Sequence, residues 1–114
     1  MQTAKKQDHG ILRHTYVVLI RKEPQTDYWA EIPDIPGCAS SGESAEAALA
    51  HFEEALCLYI KEMLDDGAHL PPPRGIEEVI SSDSGSFAEI YTVDVADPQL
   101  LLTLRFSRLA RPPG

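Results

Sequence analysis

A chain of 114 residues, 43% hydrophobic and 25% charged, has the size of one domain and too much apolar content for a disordered one. Two cysteines without a CxxC pair argue against a disulfide scaffold, and the longest apolar run, residues 16–20, falls far short of the roughly 20 residues of a membrane span, so a cytoplasmic protein is expected. The net charge is −8, with 17 acidic residues from Glu23 through Asp97 against Lys61 and Arg74 alone, a balance that disfavours a phosphate-binding surface there and suits either a basic protein partner or simple solubility.

Residues 1–12 are polar and aperiodic and are expected to form a flexible start, followed by an α+β domain over 13–107 and a flexible tail over 108–114. Residues 14–22 are rich in β-branched and aromatic side chains. Tyr16, Val18 and Ile20 share one face and Val17 and Leu19 the other, which predicts a strand buried on most of both faces. Pro24 begins a hairpin loop, and residues 28–32 resume an antiparallel strand. Residues 33–37 read P-D-I-P-G and end that strand, with Pro36 and Gly37 suited to the centre of a type II turn. A short third strand is expected over 38–41.

Ser44 is the predicted N-cap of a helix over residues 44–66, with Glu43 and Glu46 placed favourably for its dipole. Apolar residues recur there at three- and four-residue spacing: Ala45, Ala48, Leu49, Phe52, Ala55, Leu56, Tyr59, Ile60, Met63 and Leu64. The other face carries Glu46, Glu53, Glu54, Lys61, Glu62 and Asp65, and Gly67 is placed to end the helix. Pro71, Pro72 and Pro73 form a stiff connector, residues 75–86 a loop with one helical turn near Ile76, and residues 88–95 a further strand. Asp97 and Pro98 mark a turn or a helix start. Residues 100–106 are open between strand and helix, the alternation of Leu100, Leu102, Leu104 and Phe106 favouring the strand. The tail from Arg111 to Gly114 is expected to fray.

Several motifs occur in order: Y-W-A-E-I-P-D-I-P-G from Tyr28, then Cys38, then G-E-S from Gly42, E-A-A-L from Glu46, and L-D-D-G from Leu64 before the prolines. The set resembles the HicB-like antitoxin family over residues 16–73. That resemblance implies a partial RNase-H-like fold, a three-stranded antiparallel meander plus one or more C-terminal strands packed against one long helix. It also implies binding of a small HicA-like mRNA-cleaving toxin and occlusion of its RNA-binding surface. Family members often carry a C-terminal helix-turn-helix or ribbon-helix-helix module; only 17 residues follow Asp97, too few for either, so direct DNA binding is not expected.

Within this resemblance the expected partner-binding residues are Tyr28, Trp29, Glu31, Asp34, Glu43 and Glu46, an acidic and aromatic group with Glu31 and Glu43 exposed. Only one of Tyr28 and Trp29 is expected in the core, since strand neighbours point to opposite faces. No catalytic, cofactor or metal site is expected. Glu31, Asp34 and Glu43 do not share a face that would converge them on a metal, Asp34 reads as a local turn former, the four histidines lack ligand spacing, and Cys57 reads as a packed thiol. An exposed edge at 100–106 predicts a homo-oligomer, dimer or higher. A free-standing homo-oligomeric domain without a toxin and an RNA-binding module are the competing readings.

Overall fold

The computed structural model describes residues 13–83, 87–96 and 102–109. Expectations for the N-terminal start, for Asp97, Pro98 and Leu100, and for the tail from Arg111 lie outside the described residues. Five strands and two helices follow in the order β1 (Arg13–Arg21), β2 (Tyr28–Ile32), β3 (Ile35–Gly42), α1 (Ala45–Asp65), α2 (Ile76–Ser82), β4 (Glu89–Ala96) and β5 (Thr103–Arg108). The strands form one antiparallel sheet in the order β3-β2-β1-β4-β5, so the α+β meander is as expected and the last two strands extend it on the far side of β1.

Alternation along β1 sets the two faces. Tyr16, Val18 and Ile20 join Ala30, Ile32, Val93 and Val95 on a front face covered by Phe52, Leu56 and Ile60 of α1, all buried. Val17 and Leu19 point to the back, where Val79 of α2 covers them with Phe87 and Ile90. Helix α1 packs on β3, β2 and β1, and Phe52 meets the ring of Phe106 on β5 edge-to-face, with centroids 6.4 Å apart.

Both helix ends are closed by local chemistry. The Ser44 hydroxyl accepts from the Ala47 N–H at 3.0 Å. At the other end Gly67 takes φ 79°, and the N–H groups of Gly67 and Ala68 donate to Leu64 and Met63 in a Schellman arrangement.

The β2–β3 connection differs from expectation. Pro33 and Asp34 form the turn, and Ile35 already pairs with Ile32. Pro36 and Gly37 lie within β3, where the register shifts between Glu31 and Ile32 and Gly37 takes φ 99°. The proline–glycine pair therefore builds a bulge in an edge strand, a place that tolerates a missing donor and a left-handed residue.

Candidate partner-binding surface

Burying Ala45, Ala48, Phe52, Leu56 and Ile60 turns the opposite side of α1 outward. Glu46, Glu53, Glu54, Glu62 and Asp65 are exposed there, with Glu43 before the helix and Asp66 after it. Lys61 is the one lysine or arginine on α1. Leu58 stands among these charges with 63% exposure, and its neighbours four residues away along the helix are Glu54 and Glu62. The surface is thus anionic with an apolar centre.

The six residues expected at the interface fall into different settings. Glu43 and Glu46 are exposed at the start of α1 and continue its acidic row. Tyr28 and Trp29 alternate across β2 as predicted. Tyr28 packs on the front core under the Lys22 ammonium, 5.7 Å from its ring centroid, and Trp29 is half-buried on the back in register with Arg21 and Ser41.

Glu31 is not freely exposed. It accepts from Arg21 Nε on the back face, its side chain 31% accessible. Arg21 also grips Asp83 at the end of α2 through both terminal nitrogens, at 2.7 and 3.1 Å. The hydrogen bond to Asp83, with help from Glu31 and against partial burial, holds the guanidinium still more firmly in its charged form.

Asp34 forms the turn with Pro33 as expected, but its carboxylate is turned inward to a distant partner rather than to local backbone N–H groups. Its carboxylate, 6% exposed, accepts from the backbone N–H of Arg74 at 2.7 Å and from Arg74 Nε at 2.6 Å. Arg74 Nη1 also donates to Ser82 Oγ at 2.9 Å, so one guanidinium ties the β2–β3 turn to the connector and to α2. The sequence signal for these pairs was the scarcity of cations: an isolated arginine in an acidic stretch has many carboxylates to choose from, but its partner is set by the fold.

Titratable groups elsewhere are tuned by packing. Burial, and next the charge of Asp34, pushes the Tyr16 hydroxyl up to about 12, and that hydroxyl donates to the Pro71 carbonyl. Burial raises the Cys38 thiol, the reverse of what a nucleophilic thiolate needs. Burial and the hydrogen bond to Glu89 raise Tyr91. Among the described residues no three His, Cys, Asp or Glu side chains form a group able to hold a metal, and no helix is long and apolar enough to cross a membrane.

The chain matches a family model described as HicB_like antitoxin of bacterial toxin-antitoxin system over residues 16–103. It is 34% identical over 68 residues to a protein from the rep-hol intergenic region of Haemophilus phage HP1, a match covering 60% of this chain and 51% of the phage protein. The chain thus spans about half the length of that relative. A UPF0150 protein of Synechocystis is 36% identical over 61 residues, covering 54% of this chain and 75% of the relative. A UPF0150 protein of Thermoplasma acidophilum is 30% identical over 56 residues, covering 49% and 81%.

Proposed function

The chain belongs to the HicB-like antitoxin family of bacterial toxin–antitoxin systems, and from that premise we propose that it binds and neutralises a small basic, mRNA-cleaving HicA-like toxin by covering the toxin's RNA-binding surface. The observation that carries this reading is the exposed side of α1, where Glu54 and Glu62 flank Leu58 and Glu46, Glu53 and Asp65 extend the anionic surface. A toxin that holds RNA does so with Lys and Arg, and an anionic surface competes for the same groups. The charges chiefly speed encounter, and the apolar centre supports a desolvated contact.

Glu43 and Glu46 open this surface, with Tyr28 beside them on the front. Trp29 lies on the opposite face of the sheet, away from this surface. Glu31 and Asp34 act in this reading as positioning groups, holding the sheet and connector through Arg21 and Arg74. In this reading the protein works in the cytoplasm as a non-enzymatic homo-oligomer.

The test is co-expression with the product of the reading frame adjacent to its gene, followed by pull-down and an RNA cleavage assay titrated with this protein. A stable complex with stoichiometric loss of cleavage is the expected result. No complex, or a complex that cleaves RNA at full rate, overturns the reading.

A further inference from the structure

The sheet has two edges, and they differ in chemistry. Edge strand β3 is blunted: Pro36 offers no N–H, Gly37 lies at positive φ, and the register shifts beside them. Edge strand β5 has no proline, glycine or register shift. The Leu109 N–H donates to the Ile90 carbonyl, and the register runs on through Tyr91 opposite Arg108 and Val93 opposite Phe106. Arg105 and Ser107 therefore form hydrogen-bonded pairs with β4, whereas Leu104, Phe106 and Arg108 direct their N–H and C=O groups out of the sheet.

Charge also distinguishes this edge. Arg108 Nε lies 3.8 Å from Glu89, and Arg105 stands opposite Asp94 on the back face. The edge is locally compensated on a chain of net charge −8, so two copies can approach here with little of the repulsion that opposes contact between their acidic faces. Leu104 and Phe106 are half-buried on the front and supply apolar side chains on the same edge.

We propose that two copies of this chain pair antiparallel through β5 about a two-fold axis at Phe106, joining two five-stranded sheets into one. The outward groups restrict the register. With the axis at Arg105, that residue would face its own copy at the close, non-hydrogen-bonded spacing, like charge against like. With the axis at Ser107, the outward groups of Leu104 fall opposite residue 110, beyond the strand. The axis at Phe106 places Arg105 opposite Ser107 of the second copy, and it pairs Leu104 with Arg108 of the second copy, using all three outward residues. This inference deepens the reading of the chain as self-associating, and it is measured without toxin, so its failure leaves toxin binding untouched.

Two measurements on the purified full chain test it. Light scattering at micromolar concentration gives two copies for the wild type and for Arg108→Ala, and one copy for Arg108→Pro. Proline there removes an outward N–H and, like the alanine control, the contact with Glu89, so circular dichroism stays that of the wild type and the N–H alone separates the two variants. Second, Arg105→Cys and Ser107→Cys are mixed and oxidised under conditions in which the wild type, with Cys38 and Cys57, does not cross-link. The mixture yields a covalent dimer and neither variant alone does. A monomeric wild type, a dimeric Arg108→Pro, or cross-linking of either variant alone overturns the proposal.

Discussion

The carboxylate of Asp34 and the backbone N–H and Nε of Arg74 meet at 2.7 and 2.6 Å, across 40 residues of sequence. A turn of two residues is thereby pinned to the connector that leads into α2. Asp34→Ala removes a nearly buried acceptor of two hydrogen bonds, one of them charge-assisted, while Arg74 at 35% exposure keeps access to water. The expected cost is about 1 to 3 kcal/mol, read as a lower denaturant midpoint at constant slope. An unchanged midpoint would show that the turn stands without this anchor.

Gly42 lies directly beneath the first turn of α1. A Cβ there would sit 2.5 Å from the Ala48 nitrogen and 2.7 Å from the Ala47 carbonyl carbon, both backbone atoms that no rotamer change can move. Gly42→Ala must therefore push the helix start away from β3, at a cost of roughly 1 to 3 kcal/mol. Thermal melting checks it, with Gly75→Ala as the comparison: a Cβ at Gly75 meets nothing within 4 Å, and its melting temperature should change far less.

Tyr16 makes stability fall in strong base. Its hydroxyl is raised from 10.0 to about 12 in the folded protein, chiefly by burial. The folded state thus favours the protonated form, and its contribution is complete below pH 10 and lost as pH rises toward 12. Two pH units correspond to about 2 to 3 kcal/mol. Denaturant unfolding of wild type and Tyr16→Phe across this interval should show the wild type losing stability more steeply, and parallel curves would refute the assignment. The comparison isolates Tyr16 from Tyr91, which is also raised and remains in both proteins.

Charge reversal separates binding from folding. Glu54→Lys with Glu62→Lys alters two exposed positions and should change stability by less than about 0.5 kcal/mol. The same pair should weaken inhibition of toxin-dependent RNA cleavage and flatten its salt dependence, by about tenfold or more in association rate. Glu31→Lys should behave differently, since it sets a second cation against Arg21 and costs about 1 to 3 kcal/mol of stability. Equal inhibition by wild type and the helix variant would move the contact off α1.

Local sequence determined the elements themselves. Three- and four-residue spacing from Ala45, the Ser44 cap and Gly67 define α1 to within a residue at each end, because a helix reports its buried face through periodicity and its ends through side chains a few positions away. Alternation did the same for β1 and for β4, and it decided between strand and helix correctly at β5. The proline–glycine pair at 36–37 misled, since the same two residues suit a turn centre and an edge bulge; which one forms depends on where Ile35 finds its partner.

Tertiary structure alone decided how the charges are used. Glu31, Asp34, Glu43 and Glu46 look equivalent along the chain, yet the first two are held by Arg21 and Arg74 and the last two face solvent. Ion-pair partners 10, 40 and 62 residues apart are chosen by strand register and by which helix covers which face. Periodicity carries no record of either. The same holds for β5, whose outward-facing backbone groups follow from its place beside β4 rather than from its own residues, because any strand exposes a row of donors and acceptors only when it lies at the rim of a sheet.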